Sequence, residues 1–359
     1  MKKLILAGGG HGHINILKEL IKKPLKGYEI TLITDYKRQY YSGMLPGFIE
    51  GIYTEEEISF DVEELCRKAG VKYINEKIVK IDAHEKTVKT NEEGKYDFDY
   101  ISMNLGSYAK NLYKIGENAT YVKPIFSIVE FMRKIDRDVE NSCSSGKKMV
   151  IVGGGASGIE LSLAFRERYR YMDITVVSKR DILYRFNERT RLKAKQTMKD
   201  KNIKLITDEA LKEVLKSEII TSGGKYGYDY LIVSNGVSGT PIDFAGYEVT
   251  EENFLKVNSD LCANEYSIAM GDMISIREYP ETPKAGVFAI RQAPILYKNL
   301  LRMLEGCSRR EEYCPQKKYL QVLNCGGKKA ILNYADYSLK GHLSWKLKDH
   351  IDRKYMKTE

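Results

Sequence analysis

Long apolar runs are missing from this 359-residue chain. The best N-terminal candidate, Leu4 to Ala7, is too short for the apolar core of a signal peptide or for a membrane span, and glycines follow at once. The sequence therefore predicts a cytoplasmic protein. Cysteine spacing of a redox or metal type is missing as well. Cys66, Cys143, Cys262, Cys307, Cys314 and Cys325 form no CxxC, CxxxxC or Cys/His ligand pattern, so scattered reduced thiols are expected and no metal site is read from them. Aromatic residues do not interleave with basic ones in any recognition-like stretch, so the net charge of +9 reads as a general surface bias and no nucleic-acid partner is expected. No low-complexity stretch or Pro/Gly/Ser linker interrupts the chain.

What is present is ordinary for a globular protein, with 43% apolar and 30% charged residues. The length exceeds a usual domain of roughly 100–200 residues, which predicts two or three domains. The chain opens as strand, glycine turn and helix. Lys3 to Ala7 is apolar, Gly8-Gly9-Gly10-His11-Gly12-His13 follows, and Ile14, Leu17, Leu20 and Ile21 recur at helical spacing. A strand from Tyr28 to Ile33 completes a βαβ unit. The same grammar returns at Lys148 to Val152, Gly153 to Gly158, Ile159 to Arg168 and Asp173 to Val177. Each unit leads to a similar phrase, "YDFDYISMNLGS" (Tyr96 to Ser107) and "YGYDYLIVSNGV" (Tyr226 to Val237). This predicts a duplicated architecture.

The second turn, Gly153-Gly154-Gly155-Ala156-Ser157-Gly158, satisfies G-x-G-x-x-G. In that motif the first glycine permits a tight turn, the second lets the backbone approach a pyrophosphate, and the third lets helix and strand pack closely. The first turn keeps Gly8 and Gly10 but places His13 at the third glycine position, so the helix must tolerate an imidazole or the turn must open. His11 and His13 lack a nearby third metal ligand, which favours phosphate bonding or packing over an H-x-H metal pair. A Rossmann unit places an acid at the end of its second strand to hold ribose hydroxyls. Here Thr34 occupies that place with Asp35 one residue late. The second unit has Ser178-Lys179-Arg180 and no acid, which suits a 2′-phosphate or is a solvated basic turn. Met270-Gly271-Asp272 puts a carboxylate after an apolar strand, where a polyol can be bound.

Together these pieces resemble the pyridine nucleotide–disulfide oxidoreductase superfamily of two-dinucleotide flavoproteins. Within it the chain is similar to type II NADH dehydrogenases, and closer still to the NADH dehydrogenase-like domain found fused to selenide, water dikinase. The closer likeness rests on "GGGHGH" (Gly8 to His13), "YYSGMLPGFIEGIYT" (Tyr40 to Thr54), "PKAGVFAIRQAP" (Pro283 to Pro294) and "WKLKDHIDRKYM" (Trp345 to Met356). The resemblance implies an α/β fold of two Rossmann-like three-layer domains, the second inserted in the first. The FAD-binding domain is expected at 1–112 and 259–325, the NAD(P)-binding domain at 113–258, and a small C-terminal segment at 326–359. It further implies FAD along Gly8, Gly10 and His11, with Thr34 or Asp35 at the adenosine ribose and Ile78 at the adenine. Gly106 would lie at the domain crossing, Gly271 and Asp272 at the ribityl chain, and Met44, Leu45, Arg291 and Gln292 at the isoalloxazine. NAD(P)H is expected on Gly153, Gly155, Gly158 and Glu160, with Ser178, Lys179 and Arg180 around its ribose and Gly236 beside it.

The resemblance implies an FAD-dependent NAD(P)H dehydrogenase that passes electrons to a quinone or another small acceptor. The chain departs from the family pattern in two places. "YYSGMLPGFIEG" has no cysteine, which argues against a flavin-to-disulfide relay, and Arg291-Gln292 stands where type II dehydrogenases carry Gln-Gln. No catalytic acid, base or nucleophile is assigned. A reductase of sulfur or selenium species, with Cys143 as its thiol, and a redox-sensing flavoprotein remain as alternatives. From Leu343 the tail predicts a basic amphipathic helix with Leu343, Leu347, Ile351 and Tyr355 on one stripe. Such a stripe packs on the protein, covers a homodimer mate, or lies peripherally on the inner face of the membrane.

Overall fold

The computed structural model describes residues 1–110, 113–141 and 146–357, and Cys143 lies outside them. Two compact units emerge. The first comprises residues 1–39, 59–108 and 237–315, and the second residues 40–58, 109–236 and 316–359. The second unit's central segment is thus inserted between parts of the first. This division groups residues 237–258 with the first glycine turn and residues 316–359 with the second, unlike the boundaries expected from sequence.

In the first unit, Lys2–Ala7 forms an inner strand of a six-stranded sheet. Its apolar run is buried on both faces, as a parallel strand in such a position requires. It pairs in parallel with Tyr28–Thr34 on one side and Tyr100–Met103 on the other. The order is Cys262–Asn264, Ser267–Ala269, Tyr100–Met103, Lys2–Ala7, Tyr28–Thr34, Lys72–Asn75. The helix His11–Lys22 buries Gly12, His13, Ile14, Ile16, Leu17 and Leu20. Ile21, expected on that stripe, is among the exposed large hydrophobics.

The second unit repeats the plan with five parallel strands, ordered Ala119–Tyr121, Tyr230–Val233, Lys148–Val152, Asp173–Val177, Lys204–Ile206. The duplicated phrase has the same role in both units. Tyr100–Met103 and Tyr230–Val233 each lie beside the strand that runs into a glycine turn. The chain then returns as an antiparallel sheet of Gln321–Asn324, Ala330–Tyr334 and Tyr337–Gly341, followed by the helix His342–Met356.

Candidate functional site

In the first unit the glycine turn is shaped by Asn104. Gly8 has φ +94°, and a Cβ there would lie 2.6 Å from the Asn104 carbonyl oxygen. A Cβ on Gly10 would lie 2.3 Å from Asn104 Oδ1. Asn104 Oδ1 accepts the Gly12 N–H at 2.8 Å, and Asn104 Nδ2 donates to the Met270 carbonyl at 3.0 Å. The buried Asn104 carboxamide thereby ties the turn to the strand end that carries Gly271 and Asp272. Its importance was not read from the sequence, although it sits in the repeated phrase as Asn104-Leu105-Gly106. Close approach falls to Gly12, whose Cβ would meet Met270 Sδ at 2.2 Å. His13, at the third glycine position, contacts the Gly8 carbonyl through Nδ1 at 2.5 Å and Ser102 Oγ through Nε2 at 2.9 Å. A carbonyl only accepts, so the Nδ1 proton donates to Gly8 and Nε2 accepts from Ser102. Burial lowers the His13 pKa to about 4, so the ring is neutral and serves packing.

Thr34, Asp35 and Ile78 line one cleft, together with Tyr36, Lys77, Tyr108 and Thr240. Burial raises the Asp35 pKa, against its own backbone hydrogen bond and the charge of Lys77. Gly106 has φ +74° with nothing within 4 Å of a Cβ, and its carbonyl accepts the Thr240 hydroxyl at 3.1 Å. The Gly271 N–H donates to Gln292 Oε1 at 2.7 Å. Asp272 accepts the Ser107 hydroxyl at 3.3 Å. His11 is held to about 4 by burial, opposed by the Asp272 charge. The Arg291-Gln292 pair is therefore split. Gln292 is buried and braces the Gly271 turn, whereas Arg291 is exposed.

In the second unit the three motif glycines divide the work. Gly153 has φ +126°, and a Cβ there would lie 2.1 Å from the Ser234 carbonyl oxygen. Gly158 would place its Cβ 2.0 Å from the Gly153 carbonyl oxygen, so the helix Ala156–Arg168 packs against the turn itself. Gly155 has open space around it, as has Gly236 at φ +109°. Beside Gly236, Asn235 Oδ1 is buried with no hydrogen-bond partner. Ser178 is buried under Gly154, while Lys179 and Arg180 are exposed.

Glu160 is assigned to the nucleotide site by resemblance, and the structure ties it to the C-terminal segment of the same unit. Its Oε1 accepts the Asn324 N–H at 2.7 Å. Asn324 Nδ2 donates to Glu50 Oε1 at 2.5 Å, and Gly327 N–H donates to Glu50 Oε2 at 2.9 Å. Desolvation pushes the Glu160 carboxyl up to about 7, with Lys348 opposing the shift. Lys348 Nζ in turn donates to Asp352 Oδ2 at 2.6 Å and to the Gly43 carbonyl, next to the buried Met44 and Leu45. Tyr41 donates to Asp352 at 3.0 Å, and Tyr53 to Asp349 at 2.7 Å. This polar cluster joins residues more than a hundred positions apart in sequence, so no spacing could have announced it.

The helix His342–Met356 consequently turns its polar side inward. Its buried residues are Ser344 and Asp352, while Leu343, Leu347 and Ile351 are 73%, 40% and 42% exposed. Tyr355, the last residue of the stripe, packs on Tyr41 with ring centroids 4.7 Å apart, whereas Leu343, Leu347 and Ile351 remain exposed among the described residues. Among the described residues no helix is long and apolar enough to cross a membrane.

Two dinucleotides fit these features. Each glycine turn opens a helix whose N-cap is itself a glycine, Gly10 or Gly155, without a side chain to satisfy the first N–H groups. The unpaired Asn235 oxygen and the open faces of Gly106, Gly155 and Gly236 leave room for polar ligands. The pattern of the family described as pyridine nucleotide-disulphide oxidoreductase matches residues 2–293. The type II NADH:quinone oxidoreductase of Staphylococcus aureus is 24% identical over 340 residues, covering 86% of this chain and 84% of that one. Among solved structures, the sulfide:quinone oxidoreductase of Aquifex aeolicus is similar at TM-score 0.78 and 18% identity, covering 99% of this chain and 90% of the other. NDH2 from Plasmodium falciparum in complex with NADH is similar at TM-score 0.76 and 16% identity, covering 99% and 96%. The chain belongs to the pyridine nucleotide-disulphide oxidoreductase family, as an oxidoreductase that uses FAD and NAD(P)H.

Proposed function

We propose that the first unit holds FAD, that the second holds the nicotinamide dinucleotide, and that the electrons pass to a quinone at a membrane surface. Support for the cofactor assignment is the pair of glycine turns, each seated at the end of an inner parallel strand. When bound, FAD would supply the hydride acceptor for the nicotinamide, a chemistry that asks no acid or base of the protein. The chain's own residues position the two dinucleotides: Gly8, Gly10 and Asn104 shape the first turn, and Gly153, Gly155 and Gly158 the second. Asp272, braced through Gly271 by Gln292, is placed to accept hydrogen bonds from a polyol.

The observation that carries the choice of acceptor is the inside-out helix His342–Met356. A helix that buries aspartate and exposes leucine in water needs an apolar surface outside the chain. Leu339 and Tyr337 on the preceding strand extend the exposed apolar area, and the exposed Lys346 and Lys354 suit anionic headgroups. An acceptor dissolved in that lipid is a quinone. The relative from Staphylococcus aureus bears quinone in its name, and this agrees with the reading. The test is steady-state NADH and NADPH oxidation with a water-soluble quinone, polysulfide and selenite as separate acceptors. Turnover is expected with the quinone. Turnover with polysulfide or selenite alone refutes this reading and turns attention to the thiols.

A further inference from the structure

The second unit carries a basic turn whose construction exceeds what a solvated loop needs. Strand Asp173–Val177 ends at Ser178, where Rossmann units that hold ribose hydroxyls place an acid. The segment from Ser178 to Phe186 contains one carboxylate, Asp181. That carboxylate is already engaged. It pairs with Lys195 at 2.7 Å and with Arg191 at 3.4 Å, and accepts the Ile182 N–H at 2.9 Å. Both cations hold its pKa down, so it stays ionised and neutralised by its own partners.

The turn is also anchored to the glycine loop. The Leu183 N–H donates to the Gly154 carbonyl at 2.7 Å, with Leu183 buried at φ +50°. A β-carbon on Gly154 would meet Ser178 Oγ at 2.4 Å and Ile182 Cγ2 at 3.1 Å. A leucine held in the left-handed region costs about 1 kcal/mol or more, so surrounding contacts must fix this conformation. Its consequence is the placement of the next two side chains. Tyr184, 51% exposed, has two guanidinium groups within cation–π reach, with Arg180 Cζ at 5.4 Å and Arg185 Cζ at 5.5 Å from its ring centroid. Cation–π attraction at these distances holds both guanidinium groups beside one ring without using their N–H donors, which suit a phosphate.

We infer that Arg180, Tyr184 and Arg185 form a clamp for the 2′-phosphate of an adenine dinucleotide, making NADPH the preferred hydride donor. The inference rests on the proposal that the second unit binds the nicotinamide dinucleotide, and it adds Tyr184 and Arg185 to the ribose site. Ser178 complements the clamp by removing the carboxylate that would repel the phosphate. Lys179 adds charge nearby.

The test compares adenosine 2′,5′-bisphosphate with 5′-AMP in calorimetric titrations of the FAD-loaded protein. The bisphosphate is expected to bind at least about tenfold tighter, with a steeper loss of affinity as salt is raised. Arg180→Ala and Arg185→Ala should each collapse that ratio about tenfold. Arg185→Lys keeps the charge but loses the planar fork, so it should restore the ratio only in part. Tyr184→Leu should lower the ratio while leaving both arginines in place. Equal affinities in the wild type, or a ratio unmoved in both arginine variants, overturns the clamp. Single-turnover flavin reduction separates this inference from the reading beneath it. Reduction by NADH with none by NADPH overturns the clamp alone, and reduction by neither overturns the dehydrogenase reading.

Discussion

The outward stripe of the C-terminal helix gives the most demanding prediction. Replacing Leu343, Leu347 and Ile351 together with serine removes the apolar surface proposed to enter a lipid interface. The three side chains expose, in sum, about one and a half side chains' worth of surface. At about 2 kcal/mol for full burial of a leucine or isoleucine, membrane insertion of that surface contributes roughly 3 kcal/mol. Losing it should weaken partitioning by about two orders of magnitude. Because the stripe is exposed while Ser344 and Asp352 face inward, the substitutions should leave the melting temperature of the protein nearly unchanged. The assay is co-sedimentation with phosphatidylcholine vesicles containing about one-third phosphatidylglycerol, at low and high salt. Wild type should bind, with part of the affinity screened by salt because Lys346 and Lys354 contribute. The reasoning is refuted if the triple variant binds vesicles as well as wild type does. It is refuted equally if wild type stays in the supernatant and sediments as a dimer that the triple variant dissolves, for then a second copy covers the stripe.

Other expectations follow from local geometry. Gly158→Ala brings a Cβ to 2.0 Å from the Gly153 carbonyl oxygen, so the turn must shift. Calorimetry should show affinity for 5′-AMP falling at least about tenfold, while absorbance shows FAD retained. Glu160 supplies a pH dependence. Its folded pKa of about 7 lies above the ordinary 4.5, so the folded state holds a proton that the unfolded chain has released between those values. Stability should therefore fall as pH rises through that window, by up to about 1.4 kcal/mol per pH unit, and level off above it. Urea denaturation of Glu160→Gln should lose this slope, and an unchanged slope assigns the titration elsewhere. Burial pushes the thiols of Cys66, Cys262 and Cys325 up to about 12. Among the described cysteines only the exposed Cys307 and Cys314 should react with an aromatic disulfide at pH 8. Flavin reduction by NAD(P)H should survive replacement of all five described cysteines, as stopped-flow absorbance can check.

Much of the architecture was legible because it is written in short range. A strand of Leu4 to Ala7 followed by glycines and a helical stripe specifies a βαβ turn within about thirty residues. The repetition of that grammar exposes the duplication, and the second phrase supplies the neighbouring strand in both sheets. Periodicity was less dependable at the residue level. Ile16 is buried and Ile21 exposed in the first helix, because the sheet and the neighbouring helices, not spacing alone, select the inner face.

By itself the sequence determined the two glycine turns, the parallel sheets behind them, and the serine, Ser178, in place of an acid at the strand end. These depend on backbone conformations and periodicities that only nearby residues can satisfy. Tertiary structure alone decided the rest. It made Asn104 the brace of the first turn, gave Gly12 the close approach that the motif assigns to position 13, and bound Glu160 to Asn324 and to the field of Lys348. It also reversed the C-terminal helix. An amphipathic pattern states that two faces differ but does not say which one meets the protein. Tyr41, Tyr53 and the Gly43 carbonyl offer hydrogen bonds that Asp352, Asp349 and Lys348 can use, and a buried polar surface takes a polar partner.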